Sequence, residues 1–235
     1  MNGDVKSRIE RYTYWDIFED DVNRRTDREI LTDIEGLMTN VVDEVTERAE
    51  ENDKDVSQVR SNVAGNYFQA LVSYATADVA AENGLRLLHS KKLESTELAD
   101  AVPIIGGEDE TILSPDSDIV YYDPDGGPIF IISCKTSFRE RMAQSGMWKL
   151  MFEVATHSCT DPDCPTHNYS FSGEFERDIY MGFGTVDFYD DVESKDIVEL
   201  FDFGYAPTVD EGTSGVAYPM ERLIDHIEEE WSSFR

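Results

Sequence analysis

Asp118 and Lys135 have the residue types and the placement to work on a phosphodiester. Asp118 heads the apolar run Ile119 to Tyr122, and Lys135 closes the run Pro128 to Cys134. Between the runs lies Asp123-Pro124-Asp125-Gly126-Gly127, which is dense turn chemistry. A tight turn there pairs the two runs antiparallel. If the turn is centred between Asp125 and Gly126, Asp118 stands opposite Ser133 and Asp116 opposite Lys135. Opposed residues share a sheet face, as do residues two apart, so Asp118, Ser133 and Lys135 converge. A one-residue slip sends them to opposite faces. A carboxylate so placed suits Mg2+, a hard cation that prefers oxygen. The metal lowers the pKa of a bound water and offsets charge in the transition state. The ammonium can orient that water or help deprotonate it, and it neutralises the phosphate. The same spacing also fits a plain ion pair at an exposed strand end.

An aspartate, a turn, an apolar strand and then a lysine resembles the core of the PD-(D/E)xK nuclease superfamily. The resemblance implies Asp118 as the metal-binding aspartate, with Asp116 after Pro115 as the alternative, and Lys135 as the catalytic lysine. The superfamily's second acid sits two residues before the lysine, where this chain has Ser133. That substitution resembles the type II restriction endonucleases that cut CCGG-containing sites and their relatives with CCNGG-type sites. In that group a small residue stands here and an acid from the following helix completes the metal site. Glu153 and Gln144 are equal candidates for that role: the first is acidic but far along the helix, the second well placed but neutral.

The segment Lys135-Thr136-Ser137-Phe138-Arg139-Glu140-Arg141 is similar to the same group's Lys-(Thr/Ser)-x-x-(Arg/Lys)-(Asp/Glu)-Arg signature. There the residues after the lysine open a helix that enters the major groove. Arginine forks match the O6 and N7 acceptors of guanine, and a carboxylate accepts from cytosine N4. The resemblance therefore implies DNA contacts by Arg139, Glu140 and Arg141, with Thr136 and Ser137 beside them. A charge cluster on a solvated helix start is the plainer account of the same run. Residues 114–141 carry the close match. It implies a Mg2+-dependent type II restriction endonuclease that cuts double-stranded DNA at a short, C/G-rich palindrome. A homodimer, or a higher homo-oligomer, is expected, since palindromes mirror two-fold symmetry. Two alternatives stand: a PD-(D/E)xK nuclease of DNA repair or junction cleavage, and a catalytically inactive acidic DNA-binding or interaction protein.

The elements that must hold these residues can be read from periodicity. Residues 4–22 fit a helix with Ile9, Tyr12, Trp15 and Phe18 on one side. Thr26 caps a helical pattern over 26–51, and Asp55 or Ser57 caps another that runs to Glu82 before Asn83-Gly84. Strands are expected at 85–88, 118–122, 128–134, 178–188 and 199–205, with a helical turn at 93–100. An amphipathic helix spans 138–156 with Met147, Leu150, Met151 and Val154 inward, and a last helix covers 218–231. This order predicts an α/β (α+β) restriction-endonuclease-like mixed sheet flanked by helices. Residues 1–55 form an N-terminal helical region packed on a nuclease core at 56–235.

Charge is the strongest compositional signal. Fifty Asp and Glu stand against 20 Lys and Arg, a net charge of −30. With 40 % hydrophobic residues the chain can bury a core, which excludes disorder. Acids scattered along every segment fit a halophilic, solvated surface better than an acidic tail. Two islands depart from it. Residues 128–150 carry Lys135, Arg139, Arg141 and Lys149 against Glu140 alone, and residues 85–93 carry Arg86, Lys91 and Lys92 with no acid. Such islands suit a polyanion. No apolar run is long enough for a membrane span, and the N-terminus lacks a signal-like run, so a cytoplasmic protein is expected. Three cysteines argue against a disulfide framework. His157, Cys159, Cys164 and His167 are a candidate structural Zn2+ clip, with an inert polar loop as the alternative. Cys134 reads as packing, and His89 and His226 as surface or satisfied histidines.

Overall fold

The computed structural model describes residues 3–52, 55–90, 92–99, 104–106, 111–113, 117–136, 138–157, 160–161, 164–168, 171–172, 175, 177–186, 198–207, 209 and 216–230. Its first part is helical, with two helices more than the periodicity suggests. α1 (Gly3–Ile9) and α2 (Trp15–Asn23) replace the single helix over 4–22. The turn between them is pinned from outside: the Tyr14 N–H donates to the Tyr67 hydroxyl at 2.7 Å, and the Tyr12 hydroxyl meets His89 Nε2 at 2.8 Å. Thr26 caps α3 (Asp27–Thr32) in a reciprocal box with Glu29. The chain then breaks at Asp33, with φ −103° and ψ 20°, before α4 (Ile34–Glu51). α5 (Val56–Glu82) starts at Asp55, whose side chain accepts from the Gln58 N–H at 3.1 Å. It ends beside Gly84, which takes φ +74°.

Among the described residues nine strands follow: β1 (Arg86–His89), β2 (Ile104–Gly106), β3 (Thr111–Leu113), β4 (Ile119–Tyr122), β5 (Ile129–Lys135), β6 (Phe171–Ser172), β7 (Ile179–Thr185), β8 (Phe203–Ala206) and β9 (Ala217–Pro219). Six make one mixed sheet in the order β1-β4-β5-β7-β8-β9, antiparallel from β1 to β5 and parallel from β5 to β9. The short strands β3-β2-β6 form a second sheet. In the β4–β5 hairpin Ile119 faces Ile132 and Tyr122 faces Ile129, the register expected of a turn centred between Asp125 and Gly126. The turn uses φ +128° at Gly126 and +84° at Gly127, values that favour glycine. Arg177 straps it, donating to the carbonyls of Asp123 at 2.9 Å, Gly126 and Pro128 at 3.3 Å, and also to Gly127.

The sheet is covered on both faces, which explains strands apolar at every position. Ile119, Tyr121, Phe130, Ile132 and Cys134 join a core with α5 and the earlier helices that runs from Val5 to Ile227. Val120, Tyr122, Ile129, Ile131, Met181 and Phe183 form a second core under α6 (Phe138–Thr156). α6 turns Ser145, Gly146, Lys149 and Phe152 inward. Met147 and Leu150 are about half exposed, against the expectation that they face the core. Polar contacts set this rotation: Ser145 meets Ser133 at 2.7 Å, and Lys149 meets Asp202 at 2.9 Å. Residues 217–230 are β9, α7 (Arg222–Asp225) and a π-helical turn, where a single helix is expected from the sequence. No helix of the described residues is long and apolar enough to cross a membrane.

Candidate active site

The hairpin register decides which side chains meet. Asp118 precedes β4 and Lys135 ends β5, both on the α6 side of the sheet and both nearly buried, at 8 % and 7 % exposure. The Lys135 ammonium donates to Asp118 Oδ2 at 2.8 Å, and the backbone N–H of Cys134 donates to the same oxygen at 2.7 Å. Gln69, from the middle of α5, donates to Asp118 Oδ1 at 2.8 Å. The Gln69 carbonyl oxygen in turn accepts from the Ser90 hydroxyl at 3.0 Å. Ser90 sits just past β1 at φ +48°, and its N–H donates to the Asp118 carbonyl at 2.8 Å. The Asp118 carboxylate is thus held by an ammonium, a main-chain N–H and a side-chain amide. Charge-assisted bonds of this kind fix a rotamer firmly.

Ser133 lies on the same face, but its hydroxyl is spent on Ser145 of α6. Beyond Lys135 the parallel neighbour is Thr185, which is fully buried. Thr136 follows, half-buried. Ser137 lies outside the described residues, as does Asp116. Arg139, Glu140 and Arg141 occupy the first turn of α6, and their side chains lie outside the description. Gln144 is exposed one residue before Ser145.

Glu153 is not brought to Asp118. Its carboxylate pairs with Lys149 at 2.6 Å, and Lys149 also holds both oxygens of Asp202 at 2.9 Å. Asp202 accepts from the Met181 N–H at 2.7 Å, at the start of β7. Lys135 pairs with Thr185 at the other end of that strand, some four strand positions or about 13 Å away. Glu153 thus sits with Lys149 and Asp202 in this structure.

Among the described residues no three His, Cys, Asp or Glu side chains gather around one point. Among the described residues Asp118 is the acid paired with Lys135, and a carboxylate is the kind of group a hard cation takes. Mg2+ needs no dedicated protein cage and is commonly bound through one or two carboxylates together with phosphate oxygens and waters, so the donor set fits. Of the zinc candidates, Cys164 Sγ and His157 Nε2 are 3.5 Å apart. Cys159 and the His167 side chain lie outside the described residues.

Gln69 and Ser90 had no visible signal in the sequence, since their contacts join positions 21 and 49 residues apart. His89 and His226 are core groups. His89 is bonded by Tyr12 and by Ser73 at 2.9 Å, and burial pushes its pKa down to about 4. His226 meets the Tyr205 hydroxyl at 2.7 Å. Burial pushes the Cys134 thiol well above its ordinary value, and the nearby Asp118 charge adds to this while Lys135 opposes it. Of the basic islands, Arg86 is paired with Glu97 at 2.6 Å.

Comparison with curated protein sequences gives no match. A solved structure described as a restriction endonuclease PspGI-substrate DNA complex superposes with a TM-score of 0.48 at 10 % identity, covering 99 % of this chain and 93 % of that one. The family described as BsaWI restriction endonuclease type 2 matches residues 91–226, more than half of the chain and a span that contains Asp118, Ser133 and Lys135. The chain therefore belongs to the BsaWI type 2 restriction endonuclease family and is a type II site-specific endonuclease.

Proposed function

We propose that this endonuclease hydrolyses double-stranded DNA with Mg2+ held at Asp118, and with Lys135 beside it at the scissile phosphate. The observation that carries the reading is the nearly buried Lys135–Asp118 pair at 2.8 Å, braced by the Cys134 N–H and Gln69. When bound, the metal supplies Lewis acidity and an activated water. Gln69 and the Cys134 N–H hold the carboxylate in one orientation. The Lys135 ammonium places positive charge where charge develops on the phosphoryl oxygens. Ser133 contributes no acid, so the second ligand comes from elsewhere, and Gln144, exposed on the nearby turn of α6, is the candidate retained. The target is a short C/G-rich palindrome of the CCGG or CCNGG type, read by Arg139, Glu140 and Arg141 with Thr136 and Ser137, from a helix start that follows Lys135 directly.

Digestion of a mixed-sequence plasmid in concentrated KCl with Mg2+ tests this, with Asp118→Asn and Lys135→Met run beside the wild type. Discrete bands from the wild type alone, absent under EDTA, are expected. Cutting by Asp118→Asn at the wild-type rate would sink the assignment of the centre. The solvent condition follows from the charge of −30, which fits a protein kept soluble by dense carboxylates in concentrated salt. A homodimer is supported by the half-exposed Met147 and Leu150 on α6, and light scattering of the purified chain tests it. The close His157–Cys164 pair keeps a structural zinc clip as a secondary reading, to be settled by the metal content of the purified chain.

A further inference from the structure

One surface of the molecule departs from its charge. Fifty of the 235 residues are Asp or Glu, yet none falls from Val56 to Ala77 of α5. α4, packed alongside, carries Glu35, Asp43, Glu44, Glu47, Glu50 and Glu51. On α5 the residues Gln58, Asn62, Asn66 and Gln69 recur at spacings of three and four, so they share one face. That face is a row of neutral amides in a chain that elsewhere shows carboxylates.

The row leads to the reaction centre. Gln69 bonds both Asp118 and Ser90. Asn62, Asn66 and Ser90 line a cleft of about 470 Å3, with Arg11 and Thr13 on its opposite wall. The arginines here are also unusual. Arg24, Arg25, Arg28, Arg48, Arg86 and Arg222 each pair with a carboxylate. Among the described residues Arg8, Arg11, Arg60 and Arg177 have no carboxylate partner shown, and of these Arg11 lines the cleft. Arg8 lies close enough to Tyr12 and His89 for its charge to act on both. A cleft whose described lining holds no acid, walled by the amides of Asn62 and Asn66 and by Arg11, complements a polyanion. Asn62 and Gln69 are about 10 Å apart along the helix, the axial rise of roughly three nucleotides of one strand.

We propose that this cleft receives the phosphodiester backbone of the DNA strand flanking the cleavage point, with Arg11, Asn62 and Asn66 as contacting groups. The proposal rests on the nuclease reading of Asp118 and Lys135, and adds a surface to it. Arginine and amide side chains donate to phosphate oxygens without reading sequence, so the contact sets position rather than specificity. Amide donors also suit concentrated salt, where attraction between separated charges is screened.

The test compares the wild type with Arg11→Ala and with Asn62→Asp/Asn66→Asp. All three positions are exposed, so melting temperatures should not move. Binding to a long mixed-sequence duplex is read by fluorescence anisotropy over a salt series. Cleavage is read on duplexes that carry the mapped site with long or minimal flanks. The double variant should lose about tenfold in affinity for the long duplex at low salt. Arg11→Ala should flatten the slope of log affinity against log salt by about 1. Cleavage of the minimal duplex should stay at the wild-type rate. Unchanged affinity for the long duplex, or an equal loss on long and minimal substrates, overturns the proposal. If the wild type binds DNA but never cuts it, the nuclease reading of Asp118 and Lys135 falls instead, and anisotropy alone decides the fate of the cleft.

Discussion

Two lysine–carboxylate clusters lie on the α6 side of the sheet, one at each end of β5 and β7, and they are balanced differently. At the start of β7, Lys149 donates to Asp202 and to Glu153, and Asp202 also takes the Met181 N–H. Two carboxylates surround one ammonium, and the cluster ties α6 to the sheet. At the far end, Lys135 meets Asp118, and that carboxylate also takes bonds from a main-chain N–H and from the amide of Gln69. The first cluster is closed on itself. In the second, a main-chain N–H and an amide orient the carboxylate that is proposed to receive the cation. A buried ion pair is therefore no mark of a reaction centre by itself; the support around its carboxylate is what separates the two.

The sharpest way to break this comparison is to neutralise each aspartate in turn. Asp118→Asn should cut the cleavage rate at least about a thousandfold, and because it also takes the charge from a nearly buried ion pair it should lower stability as well. Asp202→Asn should spare cleavage. Turnover per folded molecule should persist, while stability in urea falls by about 2–3 kcal/mol, a discounted cost because the Asp202 side chain is a quarter exposed. Equal behaviour of the two variants in both assays would erase the distinction.

A smaller effect tests the neutral support. Gln69→Ala leaves Asp118 and Lys135 in place and removes the amide from Oδ1. Loss of such an outer contact should lower the cleavage rate about 10–100-fold and raise the Mg2+ concentration needed for half-maximal activity. Gln69→Glu, which puts a like charge beside Asp118, should not rescue it. A purely structural role for Gln69 would move the melting temperature and leave the Mg2+ dependence alone.

The smallest effect concerns pH. His89 sits behind Gln69 and Ser90, and its pKa of about 4 lies below the ordinary 6.5 because burial disfavours the imidazolium. As pH falls, the unfolded chain takes up that proton before the native one does. The contribution of neutral His89 is complete above pH 6.5 and is lost progressively towards pH 4. It amounts to about 1–2 kcal/mol after allowance for relaxation. His89→Gln should be less stable than the wild type at neutral pH, and the gap should narrow on acidification. The clusters at Lys135 and Lys149 contribute equally to both proteins and cancel.

Legibility in the sequence followed how local the cause was. The β4–β5 register could be written down because a five-residue Asp-Pro-Asp-Gly-Gly turn leaves few ways to pair its flanks. α6 begins and ends where its pattern does, and Asp55 caps α5 as its type suggests. The break at Asp33 escaped, since hydrophobic spacing continues across it from Ile30 and Leu31 to Ile34 and Leu37. The inward face of α6 was misread because hydroxyl and ion-pair contacts at Ser145 and Lys149 outweighed the pull of Met147 and Leu150. The strands β2, β3 and β6 are only two or three residues long, too short for a period to show. Within the site, the aspartate and lysine were visible from spacing, whereas Gln69 and Ser90, like the strap of Arg177 on the hairpin turn, act across distances that no local pattern encodes.

Cys134 is 1 % exposed, and its main-chain N–H holds Asp118 while its side chain faces α5. A thiol sealed there cannot meet an alkylating reagent until β5 separates from α5. Half-exposed Cys164 needs no such event. The two sulfurs are thus a fast and a slow stopwatch in one polypeptide. Labelling at Cys134, timed against labelling at Cys164, counts how often the strand carrying Lys135 comes open.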